Sequence, residues 1–298
     1  MTEKSAAPDA GSKRPVLARR RQALILERVR EQGAVRVTDL VRALGVSDMT
    51  IRRDLGILHD RGLLEKVHGG AAAIEDSSLL ELGFTTESTQ MQAEKLAIAA
   101  CAAALVLPKT VIALSAGTTT FALAGHLTDI PGLTVLTNSA PVADVLHKDG
   151  RPDQTVILCG GVRTPSDALV GPFAVNVIRS LHVDTVFMGT HGMDGRSGFT
   201  TPNILEADTN RALIATGRRL IVLADHTKWG IVAMNSVARL EDADTIISDV
   251  GLEPAARDQI AATVRRLMLV DAATGDVRVL EAEDDLGTPA GVGGARHG

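Results

Sequence analysis

From Glu94 onward the chain alternates short, continuous apolar runs with helical stretches, and this alternation restricts the fold more than any other feature. The apolar runs are Thr110–Leu114, Thr134–Thr137, Thr155–Cys159, Thr185–Met188, Leu220–Ala224, Thr245–Ser248 and Leu267–Val270. Helical patterns are predicted between most of them, at Glu94–Leu105, Thr119–Leu127, Ala140–His147, Phe173–Leu181, Ile204–Thr216 and Pro254–Arg265. Strands without polar alternation are buried on both faces, and strand–helix–strand units return to a parallel neighbour. An α/β fold follows, with a doubly wound, mostly parallel sheet covered by helices on both faces. Ligands bind such sheets at the carboxyl ends of the strands.

Residues 17–73 follow a different pattern, read as three helices and a hairpin. The first helix is predicted at Arg19–Gln32, with Leu24, Ile25, Leu26 and Val29 on its apolar face and Gly33 as its stop. Thr38 fits as N-cap of a short helix Asp39–Leu44, closed by Gly45. Ser47 fits as N-cap of a third helix, Asp48–Arg61, with Gly62 just beyond it. Leu63–Val67 and Ala71–Ile74 flank Gly69-Gly70 and predict a two-stranded wing. In the third helix Ile51, Leu55 and Leu58 recur at i, i+4 and i+7 and form one buried stripe. Asp48, Thr50, Arg52, Arg53 and Gly56 are left on the other side. Early residues of a recognition helix reach base edges, and arginine grips guanine or phosphate with two parallel hydrogen bonds. The DNA-contacting set is therefore Ser47, Asp48, Thr50, Arg52 and Arg53, joined by Arg36 and by Lys66 and His68 of the wing. Arg42 and the run Arg19-Arg20-Arg21 offer further phosphate contacts. Asp48 suits the helix dipole and Asp54 is expected to orient an arginine.

Charge is distributed in the same sense. Residues 1–70 carry a net +5 and residues 71–298 a net −10. A small basic end on an acidic body suggests a nucleic-acid-binding unit attached to one that binds something else. Five Phe, one Trp and no Tyr leave few rings on which single-stranded bases could stack, so double-stranded DNA is the expected partner. Cys101 and Cys159 lack the paired spacing of a zinc site and read as small buried hydrophobes of a reducing compartment. No apolar run reaches 18 residues and Met1–Pro15 is polar, so a cytoplasmic protein without a membrane partner is expected. The expected limits are a tail at 1–16, a winged helix-turn-helix domain at 17–74, a linker at 75–93, a sensor domain at 94–285 and a second tail at 286–298.

Several loops of the second domain share one chemistry. Ser115–Thr120 follows a strand and opens a helix, and its glycine, hydroxyls and helix N-terminus suit a phosphate. Thr137-Asn138-Ser139, Gly160-Gly161, Gly189–Gly192 and Asp225–Lys228 also follow predicted strands. At one edge of a sheet they describe a pocket for a small, polar, anionic ligand, with Lys228 and Arg211 as counter-charges. No cofactor or metal is expected.

The run Val46–Leu55, followed by Gly62-Leu63-Leu64 and Val67–Ala71, closely resembles the signature of the DeoR family of bacterial regulators. The likeness continues through Ala116–Thr120, Thr137–Ser139, Gly160-Gly161, Leu169–Pro172, Gly198–Asn203 and Ala224–Lys228, and covers about residues 18–270. It implies operator binding, usually repression, and usually control of sugar metabolism. It further implies a sensor fold similar to ribose-5-phosphate isomerase and glucosamine-6-phosphate deaminase, with a phosphorylated sugar as inducer. Phosphate contact then falls to Gly117, Thr118, Thr119 and Lys228, and sugar contact to Asn138, Gly160, Gly161, Asp194, Glu206 and Arg211. Two positions depart from the family pattern: Trp229 stands where Phe is commoner, and His191 where an acidic or small residue is common. A homo-oligomer, dimer or tetramer, would place paired helices on half-sites.

Two other readings remain at this level. An isomerase or deaminase would need a general base and a second acid–base group, for which Asp194, Glu206, Asp225 and His226 are available. A DNA-binding protein with a vestigial, ligand-free sensor is the other. The attached DNA-binding domain and the intact phosphate loop favour a ligand-controlled regulator with no catalytic residues.

Overall fold

The computed structural model describes residues 18–32, 34–60, 63–67, 69–72, 84 and 90–281. The N-terminal unit runs α1 (Ala18–Gln32), β1 (Ala34–Arg36), α2 (Val37–Leu44), α3 (Asp48–Asp60), β2 (Glu65–Val67) and β3 (Gly70–Ala72). Its core gathers Ile25, Leu26 and Val29 of α1, Leu40 of α2, and Ile51, Leu55 and Leu58 of α3. The predicted stripe is thus the face that α3 buries.

The wing has three strands, in the order β1-β3-β2, rather than the two expected. Three residues are too few for a strand period to show. Gly70 permits the extra pairing, because a Cβ there would stand 2.0 Å from the Val35 carbonyl oxygen. The same pairing changes the start of α2. Arg36 occupies the N-cap position without a side-chain cap, and the Val37 N–H donates to the Gly69 carbonyl at 2.9 Å. Thr38 therefore lies inside the first turn and is not the cap. Gly45 closes α2 in the left-handed conformation, at φ +66°. Gly33, Gly62 and His68 fall outside the described residues, as do both terminal tails.

Asp54 orients an arginine, as expected, but that arginine is on another helix. Its buried carboxylate accepts from Arg21 Nε at 2.5 Å and Gln22 Nε2 at 3.0 Å, and so fastens α1 to α3. Arg21 is largely buried by this pairing and is not a phosphate-contacting residue.

The second unit is built on an eight-stranded sheet. In chain order it contains α4 (Gln92–Ala103), β4 (Val111–Leu114), α5 (Thr118–His126), β5 (Thr134–Thr137), α6 (Ala140–Asp149), β6 (Thr155–Leu158), a β7 (Val162–Arg163) and β8 (Leu169–Val170) hairpin, and α7 (Pro172–Arg179). There follow β9 (Val183–Gly189), β10 (Gly192–Asp194), β11 (Gly198–Thr201), α8 (Ile204–Thr216), β12 (Gly217–Leu223), β13 (Asn235–Ala238), β14 (Thr245–Asp249), α9 (Pro254–Ala261), β15 (Arg266–Val270) and β16 (Val277–Glu281). The main sheet has the order β16-β15-β14-β12-β9-β4-β5-β6, and every pairing is parallel except β15 with β16.

Successive strand residues enter opposite cores, which explains their unbroken apolarity. Ala113, Val186, Met188, Leu220 and Val222 pack with α7, α8 and α9. Ile112, Leu114, Phe187, Ile221 and Leu223 pack with α4, α5 and α6. Each predicted strand belongs to this sheet. The sequence reading lacked the antiparallel edge strand β16, the β7–β8 hairpin and a small antiparallel sheet, β10-β11-β13. Both cysteines are buried as expected, and burial pushes the Cys159 thiol up to about 11.

Asp54→Ala removes the buried carboxylate that accepts from Arg21 and Gln22 and fastens α1 to α3. The substitution should cost the N-terminal unit about 3 kcal/mol, seen as a lower urea midpoint for loss of α1–α3 helicity by circular dichroism.

Candidate functional site

At the start of α3, the Ser47 hydroxyl accepts from the Thr50 N–H at 3.3 Å and lies 2.9 Å from the Thr50 hydroxyl, the expected cap. Asp48 Oδ1 accepts from Arg52 Nε at 2.5 Å, and this hydrogen bond and charge raise the arginine above its ordinary pKa. Both side chains are more than half exposed, so solvent weakens the pair and a phosphate can compete for Arg52. Arg53, Arg36 and Lys66 are exposed as well. Lys66 of β2 places its Nζ 3.8 Å from where a Gly56 Cβ would stand. The wing lysine therefore lies beside Gly56, off the buried stripe of α3.

The second site follows from the strand order. Connections leave β4 toward β5 and β6 on one side, whereas β9, β12 and β14 continue the sheet on the other. Between the carboxyl ends of β4 and β9 the helices diverge to opposite faces and a crevice opens. The Ser115 hydroxyl joins the two strand ends by accepting from the Gly189 N–H at 3.0 Å. A cavity in this crevice is lined by Gly117, Thr118, Thr119, Asn138, Glu206 and Lys228.

Each lining group is held by its own local structure. Gly117 turns the chain into α5 with φ +144°, a conformation that side chains rarely adopt. The first N–H groups of α5 have no intrahelical acceptors, so this end of the cavity attracts anions. Asn138 is buried. Its Oδ1 accepts from the Ala116 N–H at 2.8 Å, and its Nδ2 donates to the Leu169 carbonyl at 3.3 Å. It therefore shapes the floor as well as lining it. Lys228 ends a short 3-10 turn, His226–Lys228, capped by the buried Asp225 carboxylate through the Thr227 N–H at 3.1 Å. On the opposite side, Glu206 accepts from the hydroxyls of Ser166, Thr164 and Thr201.

Two ranges of the chain match known families. Residues 21–77 match the DeoR-like helix-turn-helix domain, and residues 90–250 match the DeoR C terminal sensor domain. The chain belongs to the DeoR family. It is a transcriptional regulator with a DNA-binding helix-turn-helix and a sensor domain. It is 37% identical to the HTH-type transcriptional regulator GolR of Listeria innocua, over 77% of this chain and 89% of that protein. It is 31% identical to the transcriptional repressor AccR of Agrobacterium fabrum, over 78% of this chain and 89% of that one. Among solved structures, ribose 5-phosphate isomerase from Plasmodium falciparum aligns with 64% of this chain and 99% of its own length, at 10% identity and TM-score 0.38. No described helix is long and apolar enough to cross a membrane.

In this DeoR family member four sequence candidates do not line the cavity. Gly160 and Gly161 shape the entry to β7, where a Cβ on Gly161 would stand 2.6 Å from the Val170 carbonyl oxygen. Asp194 closes the β10–β11 turn by accepting from the N–H groups of Arg196 and Ser197 at 2.9 Å, which holds its carboxyl below the usual range. Arg211 is exposed on α8, where it pairs with Asp208 at 2.5 Å and donates to the Ser236 carbonyl. It is not a counter-charge of the cavity. His226 Nδ1 meets Asp249 Oδ2 at 2.7 Å, outside the lining.

The sequence reading missed Lys95. This lysine lines the cavity from α4 and is only 4% exposed. Lys95, Ile98, Ala99 and Ala102 recur at i, i+3, i+4 and i+7, and all four are buried. A single cation on an otherwise apolar stripe was the available signal. His191 also lines the cavity. Phe84, from the segment expected to be a linker, reaches the cavity's surroundings. Its N–H donates to the Pro165 carbonyl at 3.2 Å, and its ring stands edge-on to Phe121 of α5 with centroids 5.3 Å apart.

Asn138→Ala removes the acceptor for the Ala116 N–H and the donor to Leu169. It should destabilise the sensor domain by about 1–3 kcal/mol, measured as a lower midpoint in thermal unfolding.

Proposed function

We propose that this regulator is a cytoplasmic homo-oligomeric repressor of sugar or sugar-derivative metabolism genes, released from its operator by a phosphorylated sugar. The domain at 17–74 supplies α3 and the wing to double-stranded DNA, and the domain at 94–285 binds the effector. The carrying observation is the polarity of the cavity: the α5 N-terminus, Lys228 and Lys95 supply positive potential, and Glu206 supplies an oriented carboxylate. A phosphate suits the α5 N-terminus, through Gly117, Thr118, Thr119 and the two lysines. Sugar hydroxyls suit Glu206 and Asn138.

Release requires the effector to bind the DNA-incompatible state more tightly than the DNA-bound state. A hundredfold difference shifts that balance by about 2.8 kcal/mol, at about 1.4 kcal/mol per tenfold. An enzymatic reading has less support. Asp194, Asp225 and His226 bond to their own neighbourhoods, and three hydroxyls engage Glu206.

The test uses the full chain, a duplex operator selected from random DNA, and a panel of pentose and hexose phosphates. Trp229 adjoins Lys228 and is partly buried, so its fluorescence reports occupancy. At least one sugar phosphate should change that fluorescence and weaken operator binding in a mobility-shift assay, without being consumed. Lys228→Ala and Lys95→Ala should each weaken its binding roughly 10- to 100-fold, the loss of one charged hydrogen bond. No response to any panel member in either assay would overturn the effector assignment.

A further inference from the structure

We infer that Met49 is a specificity residue of the DNA-reading helix, contacting the 5-methyl group of a thymine in the major groove. The inference rests on the proposal that α3 enters that groove.

Successive residues of a helix are displaced by about 100°. Ile51, Asp54, Leu55 and Leu58 are buried and define the inward side of α3. Nearly opposite lies Met49, with Arg53 and Gly56 each about 30° to either side of the outward direction. Arg52 lies further round on the Gly56 side. The centre of the solvent-facing surface is thus a methionine, bordered by a glycine on one side and an arginine on the other. Gly56 has no side chain to hold the helix away from DNA, and the Lys66 ammonium lies beside it.

Met49 is 81% exposed, the most exposed of the large apolar side chains among the described residues. It belongs to none of the hydrophobic clusters, so the fold itself does not call for it. It also occupies the first turn of α3, the part of a recognition helix that reaches base edges. The flanking arginines give the occupant of this face its charge: a polyanion that presents a small apolar group between its phosphates. The thymine methyl is the apolar group on the floor of the major groove. Methionine is long and unbranched, and its soft thioether adapts to such a contact. Arg52 and Arg53 then position the helix on phosphates or guanines, while Met49 distinguishes thymine from the other bases.

The experiment uses the full chain and the duplex operator selected from random DNA. Each thymine is replaced in turn by deoxyuridine, which deletes the methyl group and keeps the pairing. The wild type should lose about fourfold in affinity at one position per half-site, the worth of one methyl-sized burial. Met49→Ala should bind the thymine and deoxyuridine operators equally, with an unchanged melting temperature. Arg53→Ala should weaken both operators alike and retain the fourfold preference. Equal wild-type binding to every deoxyuridine operator would overturn the inference, as would a preference that survives in Met49→Ala. Failure of the wild type to select any DNA would overturn the parent reading instead, and this inference with it.

Discussion

The reversal of winding between β4 and β9 is the constraint on which the sensor domain depends. A parallel sheet needs helical crossovers, and crossovers that depart to opposite faces cannot cover the gap between their starting strands. The uncovered gap collects the amino end of α5, the turn that carries Lys228, and the Glu206 side of α8. The groups that line the cavity come from distant parts of the sequence because the strand order brings their carboxyl ends together. The strands themselves are interchangeable apolar residues. The chemistry lies in the one or two residues that follow each of them.

The DNA-binding unit rests on a different interaction. Its apolar core is small, and the buried Asp54 carboxylate adds a polar clamp between α1 and α3. Removing one partner of such a clamp is costly, whereas the pair as a whole contributes less than its geometry suggests. Its role is to fix the rotation of α3 about its own axis. Ile51, Leu55 and Leu58 set the buried side, Asp54 limits the remaining freedom, and the residues displayed to solvent follow.

How much could be read in the sequence depended on whether a feature was periodic or a matter of contact. The parallel strands and the stripe of α3 were legible because burial repeats along the chain. The strand β1 and the β7–β8 hairpin were not, since two or three residues carry no period. Gly117, Thr118, Thr119, Asn138, Glu206 and Lys228 were recognisable from their loops and from the family likeness, and the cavity gathers all six. Gly160, Gly161, Asp194 and Arg211 sat in equally polar surroundings, but tertiary contacts engage them elsewhere. Lys95 was hidden by its apolar neighbours, which made it look like part of an ordinary core helix.

The position of Phe84 has a geometric consequence. It fastens the chain that arrives from the wing to Pro165 and Phe121, residues that adjoin the cavity-lining Ser166 and the amino end of α5. The sensor domain's hold on the chain therefore begins at Phe84, ahead of α4. The roughly twelve residues from Ala72 to Phe84 can span no more than about 43 Å, at up to about 3.6 Å each. Adjacent half-sites on DNA lie about 34–36 Å apart. The reach that this stretch of chain allows is thus comparable with the spacing that a pair of such DNA-binding domains would have to match.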